Sequence, residues 1–140
     1  MLSMKAKYAL RALMVMSQNE RKMLSSKTIA KEADVPQKFL DNILQELRHK
    51  TIVDSKRGIF GGYFLAIPSS EIMVGDLIRM MDGPLAPIRC ASVTAYQKCD
   101  DCEDEAKCAI RKTMVEVRNA IAEVLDNKSI KDLAFSDIAT

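Results

Sequence analysis

Four cysteines stand close together as Cys90-x8-Cys99-x2-Cys102-x5-Cys108, and Asp100, Asp101, Glu103, Asp104 and Glu105 run between the last three. In a cytosolic protein, such a group serves as a metal site or redox switch more often than as a disulfide framework. Structural zinc is usually held by two close pairs of ligands, whereas this chain has one CxxC flanked by single cysteines. Iron-sulfur ligation tolerates irregular spacing, because each iron takes its own thiolates. An iron-sulfur cluster, 2Fe-2S or 4Fe-4S, on Cys90, Cys99, Cys102 and Cys108 is therefore the expected cofactor, with zinc the alternative and four reduced, unliganded thiols the plain reading. The carboxylates between them raise thiol pKa, which makes these cysteines poor nucleophiles without a metal and would lower the reduction potential of a bound cluster. No βαβ pattern surrounds the CxxC, and the only histidine, His49, lies far away in sequence. With no acid/base pair beside the thiols, an enzyme is not expected.

A second group of side chains has the chemistry of base readout. Lys38, Asp41, Asn42 and Gln45 recur at i, i+3, i+4 and i+7, on one face of a helix. Asn and Gln can bond the adenine edge in bidentate fashion, Lys the acceptors of guanine, and Asp the amino group of cytosine. Lys56 and Arg57 follow in a glycine-rich stretch, where a loop can reach a phosphate or place an arginine in a narrow minor groove. Charge agrees: residues 1 to 66 hold twelve Lys or Arg against six acids, and residues 67 to 140 hold nine against thirteen. The basic half suits a polyanion, and the expected partner is a double-stranded DNA operator. A solvated polar surface is the plain alternative for each of these features taken singly.

The elements that position these groups follow from periodicity. The chain has 140 residues, 48% hydrophobic and 29% charged, with 5% aromatics and nine methionines, which fits one mainly α-helical domain. No apolar run approaches the ~20 residues needed to span a bilayer, so a cytoplasmic protein without membrane contact is expected. Ala6, Ala9, Leu10, Leu13 and Met16 mark a first helix over about residues 3 to 17. Ser25 or Ser26 caps a second that buries Ile29, Ala30 and Ala33, and Asp34, Val35 and Pro36 break it. A third helix begins at Pro36, with Phe39, Leu40, Ile43, Leu44 and Leu47 as its core stripe opposite the polar one. Two helices joined by such a break form a helix-turn-helix. Thr51 to Asp54 and Tyr63 to Ile67 read as strands of a hairpin around Gly58, Gly61 and Gly62, a two-stranded wing with Lys56 and Arg57 at its tip.

Beyond Pro68, Ser69 or Ser70 caps a fourth helix through Ile72, Leu77, Ile78 and Met81, ending at Gly83. An aperiodic loop leads to about Asp104, after which Ile110, Met114, Val117, Ile121 and Val124 recur as a coiled-coil seam. A helix of roughly 22 residues would be ~33 Å long, more than a small domain needs for its own core. Its seam is expected to meet a second copy and make a homodimer that reads paired half-sites. Ser129 then starts a short helix with Ile130, Leu133 and Phe135. The expected division is a winged helix-turn-helix domain over 1-83, a cysteine loop over 84-108, and a dimerisation helix with a short terminal helix over 104-140.

The run from Ile52 to Ala66, with Lys56-Arg57-Gly58-Ile59-Phe60-Gly61-Gly62-Tyr63 at its centre, resembles the wing of the Rrf2 family of bacterial regulators. The opening Lys7-Tyr8-Ala9-Leu10-Arg11-Ala12-Leu13 and the loop cysteines are similar to the family as well. The resemblance implies a dimeric winged-helix transcription factor, often with an iron-sulfur cluster on three loop cysteines and a variable fourth ligand. By position Cys90, Cys102 and Cys108 match those three, and Cys99 is extra. Some members have a histidine three residues after the last cysteine, where this chain has Arg111; others use an N-terminal aspartate, where it has Lys7. Cys99 is thus the candidate fourth ligand. The resemblance also implies that Lys38, Asp41 and Asn42 touch bases, that Arg57 enters the minor groove, and that the protein senses iron-sulfur, redox or nitric oxide status, commonly as a repressor. Its alternative is the same DNA-binding regulator with zinc or unliganded thiols, controlled by thiol oxidation or a regulatory protein partner.

Overall fold

A computed structural model describes residues 2–136. Helix α1, Met4–Gln18, begins where Ser3 Oγ accepts from the Ala6 amide, and its Ala6, Ala9, Ala12, Leu13 and Met16 are buried. Helix α2, Ser26–Ala33, is capped by Ser25, whose side chain accepts from the Thr28 amide. It stops at Asp34, which takes a left-handed conformation (φ 54°). Short polar side chains tolerate that region best. Val35 turns inward, and Pro36 caps helix α3, Gln37–His49, as the residue just before its first turn. Leu40, Ile43, Leu44 and Leu47 of α3 are buried, but Phe39 is 60% exposed, so the expected core stripe is one residue narrower than the sequence suggests. At 100° per residue Phe39 sits on the flank between the two faces. There its ring lies 6.2 Å from that of Tyr8 on α1.

Strands β1, Val53–Lys56, and β2, Gly62–Leu65, pair antiparallel with Val53 opposite Leu65 and Lys56 opposite Gly62. Lys56 therefore closes β1, and the turn itself runs from Arg57 to Gly61. The base of the hairpin is tied to the helices, since Leu24 and Tyr63 exchange both backbone hydrogen bonds, at 3.0 and 2.7 Å. Helix α4 spans Val74–Asp82 and starts later than its serines suggest. Ser69–Glu71 instead form a separate 3-10 turn, because the Ser69 hydroxyl is buried against Ser17 Oγ (2.7 Å) and its amide donates to Glu20 Oε1 (2.6 Å). The Ser69 amide first, and its hydroxyl second, hold the Glu20 carboxyl below its ordinary pKa.

Helix α5, Ala109–Leu125, has 17 residues, shorter than the expected 22, because Cys108 caps it and Glu105–Lys107 make a 3-10 turn of their own. It is about 26 Å long. None of its residues is buried. Helix α6, Ile130–Ala134, has a capping box made by Ser129 and Asp132. Though it follows the long helix in sequence, α6 returns to the helical body: Ile130 is fully buried, its amide donates to the Ile72 carbonyl (2.8 Å), and Gln18 Nε2 donates to the Ala134 carbonyl (3.0 Å). Phe135, read as part of this helix, follows its last residue as the C-cap and is 62% exposed. The core gathers around α1, with Leu13, Ile29, Leu40, Leu44, Leu47, Leu77 and Ile130 sealed from solvent. Each such side chain contributes roughly 1.5 to 3 kcal/mol by leaving water. This rigid body fixes where α3 and the wing point. Among the described residues, no helix is long and apolar enough to cross a membrane.

Candidate nucleic-acid interface and cysteine loop

The amphipathic pattern of α3 leaves Lys38, Asp41, Asn42 and Gln45 exposed together on its outer face. Among the described residues none of the four is in an ion pair, so their donors and acceptors are available to a ligand. On the flank of α3, Lys5 Nζ pairs with Glu46 at 2.8 Å. Arg48 Nε lies 3.4 Å from Asp54 on the wing. Arg48 occupies the last turn, where a cation is favoured by the negative end of the helix dipole. Lys56 and Arg57 are exposed beside the wing turn, also outside any ion pair among the described residues. Sequence reasoning missed Phe39 as a surface residue of this face; its flank position was readable from the 100° step, but its contact with Tyr8 was not.

The cysteines hang between α4 and α5. Cys90 is buried in a short 3-10 turn, Arg89–Ala91, and Cys108 is the N-cap of α5, its Sγ accepting from the Arg111 amide at 3.4 Å. Two guanidiniums on α5 fasten the first turn to the helix: Arg111 Nε donates to the Cys90 carbonyl (3.0 Å) and Arg118 Nη1 to the Ala91 carbonyl (2.5 Å). Neither arginine was singled out as a loop contact by its spacing, because the pairs join residues 21 and 27 apart in sequence. Tyr96 donates its phenolic proton to Glu105, which raises its pKa and ties mid-loop to the entrance of α5.

All four thiols are free of disulfides. The neighbouring Cys90 thiol, with lost hydration, raises the pKa of Cys99. Cys102 is raised as well, first by lost hydration and then by the negative charge available on Cys108 and Glu105. The loop thus brings the sulfurs into one neighbourhood, although among the described residues no three Cys, His, Asp or Glu side chains converge as a finished metal site. As a donor set, four thiols with one CxxC suit a soft or borderline metal centre.

The apolar seam of α5 is largely uncovered. Ile110 is 64%, Val117 38% and Val124 55% exposed, while Met114 and Ile121 are half-buried.

The sequence profile of the Rrf2 family, described as an iron-dependent transcriptional regulator, matches residues 2–136. The chain belongs to the Rrf2 family. Its relatives in this family are DNA-binding transcription regulators and not enzymes, and the winged-helix architecture is theirs too. A Rhodobacter capsulatus protein named as an rrf2-like HTH-type transcriptional regulator is 39% identical over 137 residues, covering 95% of this chain and 91% of that protein. The HTH-type transcriptional regulator CymR of Bacillus subtilis is 31% identical over 134 residues, 95% of this chain and 88% of CymR. The solved structure of that CymR, described as the global cysteine regulator, superposes with a TM-score of 0.78 and covers 96% of this chain and 95% of its own. The solved structure of T. potens IscR superposes at 0.75 with 28% identity, over 95% of this chain and 85% of IscR. The β1–β2 hairpin is the wing of that winged-helix architecture.

Proposed function

We propose that this Rrf2 regulator is a homodimer that binds a double-stranded DNA operator through α3 and the wing, with its affinity set by an iron-sulfur cluster in the cysteine loop. Lys38, Asp41, Asn42 and Gln45 read base edges, Lys56 and Arg57 hold the backbone and minor groove, and Ile110, Met114, Val117, Ile121 and Val124 pair two copies. Cys90, Cys102 and Cys108 hold the cluster, with Cys99 as fourth ligand. When bound, that cluster supplies a centre whose oxidation state and integrity respond to iron, oxidants or nitric oxide.

The observation that carries this reading is the direct bonding of the cysteine loop to α5. Cys108 starts the helix, and Arg111 and Arg118 hold the Cys90 turn against it. Ordering the thiols around iron therefore acts on the helix whose bare seam suits a partner copy. The iron-dependent description of the family profile supports the same reading. A second reading, zinc or bare thiols answering to oxidation or a protein partner, is favoured by the likeness to CymR. Anaerobic purification separates the two through the absorption spectrum and the iron and sulfide content. Coupling between sites is typically 1 to 3 kcal/mol, so operator affinity should differ by about 5- to 150-fold with and without the cluster. Equal affinity in the two forms would refute cluster control.

A further inference from the structure

The wing turn has the wrong residues for an ordinary turn. The Gly61 amide donates to the Gly58 carbonyl at 3.0 Å, so Ile59 and Phe60 occupy the two central positions of a four-residue turn. Those positions favour Gly, Pro, Asn, Asp and Ser, each for a backbone or hydrogen-bonding reason that isoleucine and phenylalanine lack. The flanking glycines make the turn possible. Gly58 has φ +117°, and a Cβ on Gly61 would sit 1.9 Å from the Lys56 carbonyl oxygen. Folded back so tightly, the turn pushes its two central side chains straight out: Ile59 is 96% and Phe60 92% exposed, the most exposed large apolar side chains among the described residues.

Two large apolar groups held in water at the end of a hairpin mark a contact surface. The neighbouring chemistry identifies the partner. From Lys56 to Gly62 the stretch has two cations and no carboxylate, on the basic half of the chain, so the tip is attractive to a polyanion and carries an apolar point. Duplex DNA is a polyanion with an apolar interior, the base stack. Proteins that enter the minor groove use apolar side chains as wedges between base steps, kinking the duplex so that more protein surface is engaged. Pyrimidine–purine steps open most easily.

We propose that Ile59 and Phe60 form such a wedge, inserted from the minor groove at one flexible step of each half-site while Lys56 holds a flanking phosphate and Arg57 lies in the groove beside them. This rests on the DNA-binding reading and adds to it a deformation of the operator, and with it selectivity at positions that α3 does not touch. Both side chains are free of the core, so their removal leaves the fold intact.

The test uses the full-length protein and a duplex that it selects from a random-sequence pool, with 2-aminopurine placed in turn at each step and a fluorophore pair at the ends. Wild type should brighten one step per half-site and shorten the end-to-end distance, whereas Phe60→Ala and Ile59→Ser should do neither. A mismatch at that step removes most of the unstacking cost, so it should tighten wild-type binding about tenfold and leave Phe60→Ala unchanged. The wedge is overturned, and operator binding stands, if the selected duplex is bound specifically but Phe60→Ala unstacks and bends it as wild type does. It is also overturned if the tip variants change only sedimentation or vesicle binding, which would make the tip a protein or lipid contact. If no sequence is selected, the DNA-binding reading falls together with the wedge.

Discussion

Replacing Gly75 with alanine sets two known effects against each other at the junction of α4 and α5. Gly75 is buried near the start of α4, and a Cβ there would lie 2.0 Å from Asp126 Oδ1 and 3.3 Å from Arg79 Nη1. Asp126 accepts from Arg79 Nη1 at 2.7 Å and Nη2 at 2.9 Å, a bidentate pair that pins the end of α5 to α4. Alanine in a helix is better than glycine by roughly 0.5 to 1 kcal/mol. Against this, the added methyl takes the place of the carboxylate oxygen. Side chains of this pair are 27% and 40% exposed, so its loss is discounted from the charge-assisted range to about 1 kcal/mol. Crowding adds roughly 1 to 3 kcal/mol. Loss wins, and Gly75→Ala should destabilise by about 1 to 3 kcal/mol, lowering the thermal midpoint by roughly 3 to 5 °C per kcal/mol. In an Asp126→Ala background the obstruction is gone, and the same substitution should become stabilising by roughly 0.5 to 1 kcal/mol. Urea unfolding of the four proteins in this cycle gives the answer. An equal cost of Gly75→Ala with and without Asp126 would refute the reasoning.

Asn42→Ala should cost about 1 to 3 kcal/mol of operator affinity and relax preference at one base pair per half-site, measured by quantitative footprinting. Val117→Asp would place an unpaired charge in the seam and should turn a sedimenting dimer into monomer without changing the helical content of the DNA-binding body. Cys102→Ala, purified without oxygen, should lose iron and sulfide. Acid should loosen the α4–α5 junction: Arg79 holds Asp126 below the ordinary carboxylate range, so its contribution is fully present above pH ~4 and is lost as pH falls through the depressed value. Asp126→Asn should flatten that part of the stability profile between pH 5 and 2, read by denaturant unfolding.

The helices and the wing were legible because each carries a local signal. Ser25 and Ser129 cap where short polar residues precede apolar periodicity, and Gly58, Gly61 and Gly62 mark the hairpin. What could not be read depended on partners distant in sequence. The Ser17 to Ser69 contact draws Ser69 into a buried turn and shifts the start of α4. The Cys90 turn is held against α5 by Arg111 and Arg118, 21 and 27 residues further on. Phe39 obeys the apolar pattern, yet it faces Tyr8 from the flank, a place that periodicity assigns to either side. The face of α3 was readable as a set, since exposure follows from what the opposite face buries. The thiols were readable as chemistry but not as geometry, because an aperiodic loop has no repeat from which to place a sulfur.

The return of α6 to α1 gives α5 a mechanical boundary condition. Because the chain re-enters the body immediately after Asp126, α5 is not a tail whose end can fray, and its Asp126 end is the fixed point about which a rearrangement near Cys108 would turn it. Over a lever arm of about 26 Å, a turn of roughly 10° displaces the far end by about 4.5 Å. Successive base pairs are about 3.4 Å apart along the duplex. In a two-fold pair joined along this arm, a small angular change beside the cysteines is thus amplified to about one base-pair step, enough to put two recognition helices in or out of phase with half-sites of fixed spacing.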